Sequence, residues 1–506
     1  MPGGKVFLVG AGPGDPGLIT VRGLEVLAAA EVVLTDALAH PALLEACPTA
    51  EVRHVGKRYG EESASQTAIN AELVALARAG KRVVRLKGGD PLMFARGGEE
   101  ALALRAAGIE FEIVPGVASP VATSAYAGIP LTHRDLSKSV TFITGSDREG
   151  KEWSPEAWRK LATATDTICV LMGMRRLGEI AAAILEGGRA PETPAAVIHW
   201  GTRPEQRVVT ATLAEIAERA REAGVKNPAV VVIGDVVGLR ESLRWYDARP
   251  LFGKTVFLPR PQAQGRATAH AIRQRGAEPL LVPMIEIVPP PDAARLDRAV
   301  DELSSYDWVL FTSSNGVERF LAAIRARARD ARAFGTARIG VIGPKTAEAL
   351  APFGLVPDLV AKEFIGEGLA RELLAQSRGG RVLVARALVA RDALPDALRA
   401  AGFEVDVVAA YETRPAPEET RARLVEALRA RRVDVALFTS SSTVTETLSA
   451  LGADALTLLE QVTVASIGPI TTRTLLDAGV RVHLTAERYT VAGVLDALEA
   501  HFAALA

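Results

Sequence analysis

Residues 9–20 read VGAGPGDPGLIT and begin within the strand-like run KVFLVG that starts at Lys5. Four of these twelve residues are glycine and two are proline. A glycine-rich turn at a strand end lets the backbone approach a ligand closely. A dinucleotide loop is the first reading to test. Gly10 and Gly12 stand where that fingerprint needs them, and Asp36 closes the next strand, EVVLTD. The match fails at the third glycine, where Asp15 stands. Pro13 and Pro16 also remove two N–H donors that a pyrophosphate would use. The following helix is expected after Thr20, an N-cap type of residue.

The loop therefore suits a ligand that needs close backbone approach and carries no phosphate. S-adenosylmethionine, an adenosine with an amino-acid tail, is such a ligand. Two further stretches agree. RVVRLKGGDPLMFARGGEE (82–100) ends a strand in Gly88-Gly89-Asp90-Pro91, where a carboxylate can accept bonds from ribose hydroxyls or an ammonium. IVPGVASPVATSAYAGIPLTHR (113–134) is rich in small residues, which leave room for a flat ring. Taken singly, each stretch is equally readable as a loop with ordinary turn residues.

Outward from these loops, short β-branched runs alternate with Ala/Leu/Arg/Glu stretches of helical period, as in EVVLTD, TICVLMG, PAVVVIGD, TVFLPR, WVLFTSS, RIGVIG and RVLVAR. That alternation implies α/β architecture with largely parallel sheets. A length of 506 residues allows about three to four domains. LRESLRWYDARPLFGK (239–254) has no clear period, so a boundary is expected there: domains at 1–245 and 253–506, with 246–252 as an undocked linker. The second half repeats itself. VLFTSSNGV (309–317) recurs as ALFTSSSTV (436–444), RIGVIGPKTAEAL (338–350) as TVASIGPITTRTL (463–475), and VFLPRPQAQGRATAHAIRQRGAE (256–278) as VLVARALVARDALPDALRAAGFE (382–404). Offsets of 125–127 in all three blocks predict two similar lobes with a cleft between them, although generic βα units also resemble one another.

A net charge of −1 gives no global basic field for nucleic acid. Cys47 and Cys169 lack CxxC spacing, so neither a disulfide framework nor a zinc site is expected, and no metal. Without a signal-peptide pattern or a run of about 18 apolar residues, the expectation is a cytoplasmic protein with no membrane partner.

VGAGPGDPGLIT, TDALAHP, VGKRYG, RLKGGDPLMFARGGEE, VPGVAS and AYAGIPLTHRD, in this order, resemble uroporphyrinogen-III C-methyltransferase of the tetrapyrrole methylases, over about residues 3–245. The resemblance implies two α/β subdomains with S-adenosylmethionine between them. The matching binding positions are Pro13, Gly88, Gly89, Asp90, Met93, Ala118, Ser119, Met172 and Gly201. Ala118 and Ala95 depart from the family pattern, which often has threonine and glycine there. Asp36 and Lys57 match the family's acid–base pair; a helix cap and a solvated surface lysine are the plain alternatives. Arg22, Arg58, Lys87, Arg96, Arg134 and Lys138 are candidates for substrate carboxylates, and His133 is either a base or a structural hydrogen-bonder. The resemblance also implies a homodimer formed through this half.

WVLFTSSNGVERF, VIGPKTAEAL, VVAAYETRP, ALFTSSSTV and SIGPITTRTLLDAG resemble uroporphyrinogen-III synthase. That implies a two-lobed α/β fold with parallel sheets, one lobe about 253–287 plus 415–506 and the other about 290–412. The chain would cross between them near IEIVPP and YETRPAP. Tyr411 matches the family's proton-donating tyrosine, or is a strand aromatic at a crossing. Thr346 and Thr472 match hydroxyls lining the cleft, and Arg260, Lys345, Arg386 and Arg414 are weaker carboxylate candidates. The expected whole is a bifunctional enzyme acting on small tetrapyrroles, on the way to sirohaem or cobalamin. A second half that only binds and regulates is the alternative. No third domain with a dinucleotide fingerprint and ferrochelatase character is expected, so oxidation and metal insertion are expected elsewhere.

Overall fold

The computed structural model describes residues 4–55, 65–145 and 153–505, except the side chains of 262–264. The chain divides into two compact units. The first is built on residues up to Lys254 and the second on Thr255–Ala271 and Pro279–Leu498; Ile272–Glu278 and Glu499–Ala506 group with the first.

The first unit contains two five-stranded sheets. In one, the spatial order is Glu51–His54, Val32–Thr35, Arg82–Lys87, Lys5–Gly10, Glu110–Val114, and every pairing is parallel. Apolar layers cover both faces: Phe7, Val9, Val33, Val84 and Leu86 on one side, Val6, Leu8, Val32, Leu34 and Val83 on the other. Two buried faces explain why these strands read as continuous apolar runs. Because the strands are parallel, the loops after Gly10, Lys87 and Val114 all leave from one edge. Lys5–Gly10 lies beside Arg82–Lys87, so the first two of these loops meet where the strand order reverses.

The other sheet runs Val140–Thr144, Thr167–Leu171, Ala229–Ile233, Pro194–His199, Arg207–Thr212. Its first pair is parallel and the other three are antiparallel. Pro194–His199 and Arg207–Thr212 are joined by a short connection, which suffices for antiparallel neighbours and is too short for a parallel crossover.

The segment 246–252 is not an undocked linker. Tyr246 is 4% and Leu251 0% exposed, and the Tyr246 hydroxyl donates to the Thr202 carbonyl. Tyr246 also packs on Tyr126, Trp245 and Phe252, and Arg240 pairs with Asp247. Aromatic packing without a helical or strand period holds this segment, which is why no periodicity announced it.

In the second unit one sheet is ordered Glu278–Leu281, Thr255–Leu258, Val435–Phe438, Thr463–Ser466, Leu484–Thr485. The other is ordered Ile285–Val288, Glu404–Pro415, Arg381–Ala387, Trp308–Phe311, Arg338–Val341, Leu359–Val360. The repeated blocks occupy matching places. Ser313 and Ser440 both cap helices from near-identical extended backbones, accepting from Gly316 and Thr443 N–H. The passages between the sheets pair with each other: Ile285–Val288 runs antiparallel to Glu412–Pro415.

Candidate functional site

In the first unit the three loops at the parallel edge are held together by backbone. Ala11 N–H donates to the Lys87 carbonyl at 2.7 Å, and Gly12 and Gly89 exchange N–H···O bonds at 3.2 and 2.8 Å. Gly12 and Gly89 are left-handed, with φ of +75° and +71°. A Cβ on Gly10 would lie 2.6 Å from the Gly116 backbone, and one on Gly116 would lie 2.4 Å from the Gly89 carbonyl. These glycines thus permit strand-end loops to touch one another. Gly116 was not among the residues singled out by sequence, although it stood in a quoted motif, and Gly10 was singled out only for the dinucleotide fingerprint.

Asp90 completes this arrangement. One oxygen accepts from Leu92 and Met93 N–H, the other from Gly116 N–H. Its carboxylate is therefore a loop organiser, which a ligand-facing reading of the GGDP turn did not foresee. Gly88 packs against Leu38, and a Cβ on Gly89 would lie 2.7 Å from the Ser119 Oγ. Ala118 precedes the helix Ser119–Tyr126. Pro13, Gly88, Gly89, Asp90, Met93 and Ala118 are thus in the loops of one edge, and Ser119 opens the helix that follows. Thr20 caps the helix Val21–Ala28 as expected, and Asp15 caps the short turn Pro16–Leu18 before it.

Met172 and Gly201 come from the other sheet. The loop after His199 docks on the first sheet's loops: Asp15 N–H donates to Thr202 Oγ1 at 3.0 Å, and Arg203 donates to the Leu38 carbonyl. The Tyr126 hydroxyl donates to Asp15 at 2.8 Å. Gly201 sits against Thr123, where a Cβ would approach to 2.3 Å. Phe94, Arg96, Met172, Trp200 and Thr202 all have positive φ in these loops. Such backbone costs about 1–3 kcal/mol per residue and clusters at ligand sites. Met172 is 43% exposed at this edge.

Asp36 follows the strand Val32–Thr35, beside a buried charge cluster. Positions 83, 85 and 87 share one face of the sheet, so RVVRLK places Arg85 and Lys87 beneath the helix Gly97–Ala106. Arg85 Nη2 contacts Asp36 at 2.5 Å, Arg85 Nε contacts Glu100 at 3.1 Å, and Lys87 Nζ contacts Glu100 at 2.9 Å. The side chains of Arg85, Glu100 and Lys87 are 3%, 0% and 3% exposed. Burial, aided by the Arg85 charge, holds the Lys87 pKa below its ordinary value. Sequence reading missed Arg85 and Glu100; charges at i and i+2 in a strand otherwise apolar were the available signal.

Lys57 and Arg58 lie outside the described residues. Lys87 is bound to Glu100 and does not present a free cation for substrate. Arg22 pairs with Glu112 and Glu25, and Arg96 with Glu99. Arg134 and Lys138 are exposed. His133 belongs to a turn, its Nδ1 accepting from Asp135 N–H.

In the second unit a cavity of about 380 Å³ opens at one end of the six-stranded sheet, lined in part by Thr312, Ser313, Ile342, Arg386, Leu394 and Tyr411. Tyr411 is 7% exposed, and its hydroxyl lies 3.1 Å from Ser313 Oγ. Arg386 donates to Asp392 at 2.6 Å. Thr346 is buried and does not line this cavity. The Thr472 hydroxyl is engaged by Ser466, Thr485 and the Gly468 carbonyl. Thr346 and Thr472 are therefore not gathered around Tyr411. Arg414 pairs with Glu412. No group of three His, Cys, Asp or Glu side chains fit to hold a metal occurs among the described residues, and none of their helices is long and apolar enough to cross a membrane.

Residues 5–217 match the family model for tetrapyrrole (corrin/porphyrin) methylases, and residues 266–496 match that for uroporphyrinogen-III synthase HemD. The chain is 36% identical over 500 residues to the porphyrin biosynthesis protein HemD of Ruminiclostridium josui, covering 98% of each. The chain belongs to that porphyrin-biosynthesis family. Its first half is 51% identical over 241 residues to an S-adenosyl-L-methionine-dependent uroporphyrinogen III methyltransferase of Methanosarcina barkeri, covering 47% of this chain and 94% of that one. Among solved structures, a mutant uroporphyrinogen III synthase from Thermus thermophilus is 25% identical, with a TM-score of 0.39 over 50% of this chain and 99% of that one.

Proposed function

We propose that the chain is a bifunctional enzyme: the second unit cyclises hydroxymethylbilane to uroporphyrinogen III, and the first methylates that product twice to precorrin-2. The observation that carries this reading is the near full-length match to one porphyrin-biosynthesis relative, with each half matched by its own family model. The two reactions are chemically consecutive, since the product of one is the substrate of the other.

The edge loops fit S-adenosylmethionine. They offer left-handed glycine backbone, a half-exposed Met172 and a loop whose prolines lack phosphate-binding N–H groups. Pro13, Gly88, Gly89, Met93, Ala118, Ser119, Met172 and Gly201 would hold it, with Asp90 keeping the loops in place. Bound there, it supplies a sulfonium methyl that is already electrophilic. The chain's task is then alignment of a pyrrole carbon with that methyl. Asp36, aimed by Arg85, takes the proton lost from the macrocycle, with Lys57 as the partner acid. In the second unit, Tyr411 donates a proton to the departing hydroxyl, its own hydroxyl oriented by Ser313.

The same reading includes a cytoplasmic homodimer that joins through the first unit and needs no metal. It places the functional boundary at Lys254–Thr255, because Tyr246 and Leu251 are packed into the first unit. Mass spectrometry of the products formed by the purified chain from hydroxymethylbilane, with and without S-adenosylmethionine, tests the whole. Uroporphyrinogen III alone without the cofactor, and a dimethylated product with it, are expected. A first unit that methylates only supplied uroporphyrinogen III, beside an inert second unit, would leave the second unit as a binding module.

A further inference from the structure

Four residues of the first unit close a ring of hydrogen bonds. Asp15 N–H donates to Thr202 Oγ1 at 3.0 Å, and Thr202 N–H donates to Gln206 Oε1 at 2.9 Å. Gln206 Nε2 donates to the Tyr126 carbonyl at 3.3 Å, and the Tyr126 hydroxyl returns to Asp15 Oδ2 at 2.8 Å. The ring joins three separate segments: the glycine–proline loop, the end of the helix Ser119–Tyr126 and the loop after His199. Thr202 and Gln206 are 1% and 3% exposed, so water does not compete for their bonds. Thr202 also carries a φ of +71°, an unfavourable angle for a β-branched residue. Its N–H, hydroxyl and carbonyl are all engaged, the carbonyl by the Tyr246 hydroxyl at 3.3 Å. Strained backbone persists where surrounding contacts over-determine it in this way. Trp245 and Tyr246, which lie beyond the residues 5–217 matched by the methylase family, brace the ring. The Trp245 indole N–H donates to the Ala125 carbonyl, and both aromatic rings pack on Tyr126 with centroids 5.0 and 4.8 Å away.

Three of the four ring members lead directly to residues proposed to hold the cofactor. Asp15 is two residues from Pro13, Thr202 follows Gly201, and Tyr126 ends the helix that Ser119 opens. Gly201 in turn lies against Thr123 of that helix. We propose that this ring, braced by Trp245 and Tyr246, fixes the spacing of the three cofactor-binding segments before the cofactor arrives, so that Asp15, Tyr126, Thr202, Gln206 and Tyr246 are positioning residues for S-adenosylmethionine. The identity of the ligand rests on the cofactor reading above; the ring rests on its own bonds. A preformed site spends no binding free energy on ordering its loops. Loosening the ring therefore weakens cofactor binding without touching the reacting atoms: the KM for S-adenosylmethionine rises and kcat at saturation holds.

The test uses the full-length chain. It combines calorimetric titration with S-adenosylhomocysteine, methylation kinetics with S-adenosylmethionine varied, and hydrogen–deuterium exchange of the backbone amides of residues 9–20. Thr202→Val keeps the β-branched shape and removes the hydroxyl that accepts from Asp15; Thr202→Ser keeps that hydroxyl. Thr202→Val should bind S-adenosylhomocysteine about 10-fold more weakly and raise the KM about 10-fold, with kcat within about 2-fold of the parent. Thr202→Ser should restore both, and the Asp15 amide should exchange faster in the valine variant alone. Tyr246→Phe loses one hydroxyl and keeps its ring, so binding should weaken about 3-fold. Unchanged cofactor affinity in Thr202→Val, or in Tyr246→Phe where Thr202→Val does not fold, would overturn the proposal. So would a Thr202→Ser that loses as much affinity as Thr202→Val. A parent that binds no S-adenosylhomocysteine defeats the cofactor reading but not the ring. The ring is then judged by exchange, and an Asp15 amide no faster in Thr202→Val than in the parent would overturn it.

Discussion

The two units use their residues differently. In the first, the candidate site is made by backbone: Gly10, Gly89 and Gly116 bring three loops into contact, and five non-glycine residues hold left-handed angles around them. In the second, a duplicated scaffold presents side chains, and the two copies diverge in their contacts, Arg386 bonded to Asp392 in one and Arg260 to the Thr268 hydroxyl in the other. A site made by backbone tolerates almost no change in residue type. A site made by side chains on a repeat can change one copy while the other keeps the fold.

The largest effect should come where backbone geometry is least forgiving. Gly89→Val adds a Cβ that would fall 2.7 Å from Ser119 Oγ at a φ of +71°. Methyl transfer should fall below detection, with uroporphyrinogen III formation intact, in a coupled product assay. If cofactor affinity measured by calorimetry is unchanged, the backbone account of the first unit fails.

Asp36→Ala should slow methylation by about 10²–10⁴-fold while leaving calorimetric cofactor binding near normal. Lost affinity with normal turnover of the bound cofactor would move Asp36 from acid–base work to binding.

The buried charge cluster separates side-chain stability from backbone geometry within the same unit. Glu100→Ala leaves Arg85 and Lys87 buried without their shared carboxylate and should destabilise the first unit by about 3–5 kcal/mol in denaturant titration. Lys87 adds a pH signature. Its folded pKa lies below the ordinary 10.5, so the unfolded chain binds more protons between those two values. Stability therefore rises with pH across that window, and the parent should gain on Lys87→Met as pH climbs toward 10.5. A gap that shrinks in the opposite direction would show Lys87 held charged by Glu100.

Tyr411→Phe should slow cyclisation by about 10-fold or less, because the substrate supplies most of the driving chemistry and the tyrosine one proton. An undiminished rate would leave Tyr411 as a packed strand aromatic hydrogen-bonded to Ser313. The smallest effect concerns the boundary. A fragment ending at Lys254 should unfold a few degrees above one ending at Trp245, which lacks Tyr246 and Leu251. Equal unfolding temperatures would restore 246–252 to the status of a linker.

The sequence alone determined much that is local. Asp15, Pro13 and Pro16 excluded a pyrophosphate loop, Thr20 marked a helix start, and the repeated FTSS and IGP blocks announced two similar lobes. These are legible because a left-handed turn, a missing N–H or an N-cap constrains the residue type at the very position concerned. Only tertiary structure decided which side chains meet. Arg85 and Glu100 became a buried pair because the helix Gly97–Ala106 covers one face of a strand 15 residues away in number. Asp15 met Tyr126 across 111 residues, and Ser313 met Tyr411 across 98. Asp90 turned inward to its own loops, and Thr472 to Ser466 and Thr485. A backbone constraint is paid for at one position and leaves its mark there, whereas a hydrogen bond or ion pair depends on register and packing between elements, which no single residue records.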